Sequence, residues 1–287
     1  MSGSITLENR FGVNKMELIS LKYAIFVIVL LVLYYCFPKK YRWYVLLAGS
    51  MAYYVIICKW YVLFIIFTIC TTYGSTIWID KLLKKQNAIV KSHKEDWDRQ
   101  TRKDYKEKGR KKRVAVMLFA LLCNFGILAF LKYIPYAGEL GLLLPLGISF
   151  YTFQSMGYVM DVYREIVEPE KNFLKVALFV SFFPQIIQGP IAIYDKLAGQ
   201  LYEGHSLRLE NLQKGALLVL WGVMKKLVIA DRAVNIINFV MDKPMDFSGT
   251  YVFFAAVVYA LQLYADFSGG IDIVRGIAAV SYTHLRA

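Results

Sequence analysis

The chain has 287 residues, 57% of them apolar and 16% aromatic, with 19% charged and a formal net charge of +13. That charged share lies below the roughly 25% usual in soluble domains, and apolar runs of bilayer length recur, so an ordinary soluble globule is excluded in favour of an all-α polytopic membrane protein. A basic excess suits either nucleic acid or anionic lipid, and its distribution along the chain decides between them.

Apolar runs predict about eight spans. The first is Leu18–Phe37, closed by Pro38-Lys39-Lys40, with residues 1–15 a polar extension before it. It is too long for a signal-peptide apolar region and no A-x-A site follows, so it reads as a retained span, and Met16 reads as a natural start. The second is Tyr41–Cys58, the third Trp60–Ile79 and the fourth Val114–Ile134. Between the third and fourth lies Asp80–Arg113, with 14 Lys/Arg against 6 Asp/Glu, which supplies most of the net charge. With few glycines and no proline, this segment predicts a surface helix along lipid headgroups. A nucleic-acid arm is disfavoured because no aromatic stacking pattern accompanies the charge.

The positive-inside rule puts the 80–113 loop in the cytoplasm, together with Lys39, Lys40 and Arg42, and the N-terminus outside. The fifth span is Gly138–Val159, with Pro145 and Gly147 inside it, followed by Asp161 and Arg164. The sixth, Phe173–Tyr194, is interrupted by Pro184 and Gly189-Pro190 and carries Gln185 and Gln188. Proline removes a backbone donor, and a broken helix at membrane depth is tolerated only where protein or a water-filled cavity satisfies the freed groups. Gln185 and Gln188 are therefore candidate cavity-lining residues. The seventh span is Leu212–Ala230, with Lys225 and Lys226 near its end. Lysines there ordinarily snorkel to headgroups.

The eighth span, Tyr251–Phe267, runs into LQLYADFSGGIDIVRGIA, residues 261–278. Asp266, Ser268 and Asp272 stand there with Gly269-Gly270 between them and Arg275 beyond. Ionisable residues at the end of a bilayer-length segment are rare and mark sites. A plainer reading pairs Asp272 with Arg275 at i,i+3 and takes the two glycines as a simple helix break. The four cysteines lie in apolar runs without CxxC spacing and read as small buried hydrophobes. The histidines His93, His205 and His284 are scattered, so no metal site is expected.

Five blocks together resemble the membrane-bound O-acyltransferase family. They are YYCFPKKYRWYVLLAGSMAYYV (34–55), LPLGISFYTFQSMGYVMDVYR (144–164), FFPQIIQGPI (182–191), WGVMKKLVIADRA (221–233) and residues 261–278. The resemblance is to the bacterial branch of alginate O-acetylation and teichoic-acid D-alanylation proteins, with the alginate type the more similar. It covers residues 16–279 and implies a ring of tilted helices around a central tunnel. An acyl donor enters from one face and a hydroxyl acceptor from the other, and a histidine in a tryptophan-rich block acts as general base.

The resemblance further implies that Asp266, Ser268 and Asp272 lie near the acceptor side of the tunnel. Gln185, Gln188, Gly189 and Pro190 match the family's broken-helix block. Asp161 and Arg164 match its DVYR block and are expected to pair. Lys225 and Lys226 match its paired lysines, which could attract a phosphate-bearing donor. No tryptophan follows Trp221, and His284 has the wrong spacing and neighbours to be the family histidine. Residues 280–287 are accordingly expected to be a non-native tail, and the chain by itself inactive.

The function expected from this resemblance is transfer of an acyl group, acetyl above all, to a hydroxyl of an envelope polysaccharide or similar acceptor. The setting is the plasma membrane, and the expected partners are the lipid bilayer, the polysaccharide and a separate extracytoplasmic acyl-handling protein, with no nucleic acid. No bound cofactor is expected, and an acyl thioester is the co-substrate. A transporter or flippase shares broken helices and polar residues at membrane depth but predicts an internal repeat, which the sequence does not show. A non-catalytic membrane scaffold is the third alternative.

Overall fold

The computed structural model describes residues 19–93, 95–133, 144–206 and 208–280. The expected polar extension 1–15, residues 281–287 of the expected tail 280–287 with His284, and the start of the fifth span lie outside the described residues. Among those described, every regular element is helical. Three helical stretches are long and apolar enough to cross a membrane: Lys39–Ser92, Arg99–Tyr133 and Gly249–Ala279. Leu21–Cys36 and Phe173–Gln188 are shorter apolar stretches. Large apolar side chains such as Ile28, Phe119, Leu122, Phe253 and Phe254 are exposed on these helices, as lipid-facing surfaces require. The protein is an all-α polytopic membrane protein.

The chain divides into two compact units. One holds the described parts of Leu46–Ile186 and Ile191–Tyr202, and the other holds Ile187–Pro190 with the described parts of Met16–Val45 and Glu203–Ala287.

Helix α1 (Leu21–Cys36) starts at Ser20, whose hydroxyl accepts from the Tyr23 amide at 3.2 Å. This satisfies one of the amides that a helix start leaves unpaired. Pro38 ends the run, and a 3₁₀ turn leads to α2 (Arg42–Cys58). Arg42 is almost fully buried and closes the α1–α2 corner. Its Nε donates to the Phe37 carbonyl at 2.9 Å, one Nη to Tyr35 at 3.4 Å, and the other to the carbonyl of His205. The guanidinium also lies over the Tyr34 and Tyr35 rings. A planar fork with several fixed donors suits such a site better than a lysine would.

In the other unit, α3 (Val62–Ser92) and α4 (Arg99–Tyr133) form a long helical hairpin. At 1.5 Å per residue these helices run about 46 and 52 Å, well beyond the roughly 30 Å of a hydrocarbon core. The segment Asp80–Arg113 is therefore not one separate surface helix: it holds the end of α3, the start of α4 and the residues that connect them. It is the polar end of two helices whose apolar parts are long enough to span a membrane. Asn124 joins the apolar part to Thr71 at 3.0 Å. In the polar part, buried Gln86 donates to the Lys106 carbonyl and accepts from Arg113, both at 2.9 Å. A Cβ on Gly109 would lie 2.5 Å from the Gln86 amide, which explains the glycine there.

Helix α5 (Ile148–Tyr163) begins directly after Gly147, and residues 144–147, which include Pro145, are not helical. Gly147 has φ +68°, and a Cβ there would collide with Ile186; both features demand glycine. The sixth run is broken as expected, into α6 (Phe173–Ser181), α7 (Phe183–Gln188) and α8 (Tyr194–Tyr202). The Phe183 amide at the break donates to the Ser50 hydroxyl at 3.2 Å. A side chain thus replaces the lost helical partner.

The last elements are α9 (Leu209–Met224), a π turn at Lys225–Ala230, α10 (Asp231–Met241) and α11 (Gly249–Val280). Helix α11 continues without interruption through Gly269-Gly270. The expected helix break at these glycines is absent.

Candidate functional site

The reason for the two glycines lies in how α9 and α11 approach one another. A Cβ on Gly222 would lie 2.5 Å from the Gly269 carbonyl oxygen, and one on Gly276 would lie 2.6 Å from that of Gly215. Residue 215 thus faces 276 and residue 222 faces 269, so the helices run antiparallel with their backbones nearly touching. Close approach through small residues is a common way for membrane helices to gain packing, since lipid is as apolar as a side chain. Gly270 serves a second contact: a Cβ there would collide with the Gln188 amide. Local conformational freedom is not what these glycines contribute.

The charged residues of the site sit on either side of this contact. Lys225 Nζ donates to Asp272 Oδ2 at 2.7 Å, and Lys226 Nζ pairs with Asp266 Oδ1. Arg275 approaches the second Asp272 oxygen at 3.8 Å, so the i,i+3 pair read from the sequence is present but secondary. Lys225 and Lys226 were expected to snorkel to headgroups, and the structure corrects this. Both are engaged by carboxylates of α11, and Lys225 also lies over the Trp221 ring.

Neighbouring residues on a regular α-helix point about 100° apart. Here the π turn begins at Lys225, and the two lysines reach carboxylates six positions apart on the facing helix. π turns inside helices are frequent at functional sites. Asp266 is the more open of the carboxylates, with its side chain 34% exposed against 13% for Asp272. Between them the buried Ser268 hydroxyl has no hydrogen-bond partner.

Of the sequence-predicted residues, the structure therefore brings Gln188 together with the Asp266–Asp272 stretch. Gln185 is buried at 2% exposure in the other unit. Asp161 and Arg164, expected to pair, form no ion pair within 4 Å among the described residues; Arg113 instead approaches Glu165 at 3.7 Å. Sequence reasoning missed the pairing of Lys225 and Lys226 with Asp272 and Asp266. A signal was available, since two cations and two carboxylates in separate apolar runs are each costly alone and offset one another together. Among the described residues no group of three or more His, Cys, Asp or Glu side chains forms a metal-binding cluster.

No protein-family model matches the chain. It is 32% identical to the peptidoglycan O-acetyltransferase of Helicobacter pylori over 199 residues, which is 56% of this chain and 38% of the relative. It is 36% identical over 137 residues to the probable alginate O-acetylase AlgI of Pseudomonas syringae, 47% of this chain and 26% of the relative. The corresponding protein of Pseudomonas aeruginosa is 34% identical over 138 residues, again 47% of this chain and 26% of the relative. The matched stretches thus span well under half of these relatives' lengths. The resemblance read from the five sequence blocks agrees with these homologues, which are named as O-acetylating proteins.

Proposed function

We propose that the chain is part of a membrane O-acyltransferase that moves an acetyl group from an acyl thioester to a hydroxyl of an envelope polysaccharide. The observation that carries this reading is the 32–36% identity to proteins named for O-acetylation of peptidoglycan and alginate. In such a transfer the hydroxyl oxygen attacks the acyl carbonyl, the thiolate leaves, and a base takes the hydroxyl proton. Asp266 and Asp272 are held by lysines, which favours an orienting role. The more open carboxylate, Asp266, accepts a hydrogen bond from the acceptor hydroxyl, while Asp272 fixes the π turn against α11. The proton goes to the histidine that the family resemblance implies.

The hydroxyl of Ser268, buried and without a partner, together with the amide of Gln188, lines the acceptor's approach. Enclosing the reacting groups excludes water that would hydrolyse the donor. The protein resides in the plasma membrane as a multi-pass chain with its N-terminus outside. The polar end of the α3–α4 hairpin lies in the cytoplasm, and a separate extracytoplasmic protein handles the acyl group.

The test compares base-labile acetate on envelope glycans from cells with and without the full-length gene that includes this chain. The expected result is loss of acetate on deletion and recovery on complementation. Unchanged acetate on every glycan fraction overturns the reading.

A further inference from the structure

The α3–α4 hairpin offers a second site, independent of the acyl-transfer reading. Its polar end contains a groove of about 430 Å³ lined by Gln86, Lys103, Lys106, Arg110 and Arg113, among others. Two carboxylates also border it, and each has a cation beside it: Glu107 pairs with Lys111 at 3.3 Å, and Glu165 approaches Arg113 at 3.7 Å. Among the described residues, Lys103, Lys106 and Arg110 form no ion pair. Arg113 is largely buried, held by the Gln86 amide at 2.9 Å, and its Nε has no hydrogen-bond partner. A buried guanidinium donor without an acceptor is costly, and here it borders a groove whose other cations are uncompensated.

We infer that this groove binds a phosphate monoester. A dianion with three acceptor oxygens matches the fork of Arg110 and the point charges of Lys103 and Lys106. Arg113, held by Gln86, adds a fixed positive charge in the wall of the groove. The groove's position narrows the sources. Arg113 immediately precedes Val114, where the apolar run of α4 begins, so one end of the groove lies at headgroup level. Lys103 stands about 15 Å further along the helix. Both the headgroup of an anionic lipid and the phosphate of a soluble ligand reach such a groove. The Gln86–Gly109 contact that closes the hairpin holds the lining in place without a ligand.

The test uses the full chain in two settings. In detergent, calorimetric titration with glycerol 3-phosphate, a soluble phosphate monoester, reads the soluble source. In phosphatidylcholine nanodiscs containing phosphatidic acid, native mass spectrometry reads the lipid source. Lys106→Gln/Arg110→Gln removes two exposed cations of the groove. Lys81→Gln/Lys91→Gln removes the same charge from the same hairpin outside it, and circular dichroism checks that both variants remain helical.

The groove variant is expected to weaken binding at least tenfold, about 1.4 kcal/mol, and the control by less than about threefold, as long-range attraction predicts. Binding of phosphatidic acid alone identifies the headgroup as the source, and binding of glycerol 3-phosphate, with or without phosphatidic acid, identifies a soluble phosphate ligand. Equal weakening by the two variants overturns the proposal in favour of diffuse charge, and so does absence of binding by both probes to the unmodified chain. Neither outcome bears on acetate transfer.

Discussion

The α9–α11 pair and the polar end of the α3–α4 hairpin each carry closely spaced basic side chains and place them in opposite surroundings. At α9–α11 the backbones meet through Gly222 and Gly269, leaving no room for water, and each lysine of the π turn has its own carboxylate. On the hairpin, Lys103, Lys106 and Arg110 stand exposed without a counter-ion. The number of charges matters less than what surrounds them. A lysine between apolar helices must be paired, because desolvation costs several kcal/mol per ion. A lysine beyond the membrane surface is stable unpaired and free to meet an anion.

Three substitutions sharpen or break this contrast. Asp272→Asn is expected to have the largest effect. It leaves Lys225, only 19% exposed, without its carboxylate, a loss of about 3–5 kcal/mol for a broken buried pair. The reading is the unfolding midpoint of the purified protein in detergent. Lys225→Met/Asp272→Leu removes both charges and should restore most of that loss; a double variant as unstable as the single one would mean that charge pairing is not what matters there.

Gly222→Ala comes next. Its Cβ meets backbone on α11, so overpacking should cost about 1–3 kcal/mol in the same measurement. A neutral result would show that the helices can separate without penalty. Lys84→Gln, on the hairpin, gives the smallest effect. Lys84 pairs with Asp80 at 2.6 Å but is 65% exposed, so the change should stay within about 0.5 kcal/mol. A loss comparable with that of Asp272→Asn would erase the distinction between the two regions.

The parts of this architecture that depend on local chemistry could be read from the sequence. Pro184 and Gly189-Pro190 break the sixth run where proline chemistry says they should, and apolar run length locates the long spans. Features set by distant residues could not be read in the same way. Gly269-Gly270 suggests a break when only backbone freedom is considered, but Gly222 and Gln188 make the absence of a Cβ the deciding property. The partners Lys225 and Asp272 are 47 positions apart, and charge alone does not say which cation meets which carboxylate. Asp80–Arg113 reads as a headgroup-lying helix from its charge and its lack of proline. The structure instead pairs its two ends as a hairpin, joined by contacts such as Gln86 to Lys106 and Arg113, 20 and 27 positions away.

The Arg42 corner has a consequence for the order in which the protein is made. Its bonds to Tyr35 and Phe37 are local and available as soon as the corner has been synthesised. Its third bond, to the carbonyl of His205, spans 163 residues. At 5–20 residues per second, the ribosome delivers that acceptor roughly 8–33 s later. During this interval the corner is held from one side only, with a guanidinium donor unspent. The α1–α2 corner therefore completes only after most of the chain has been translated, and agents that stall synthesis before residue 205 should leave it open to proteolysis.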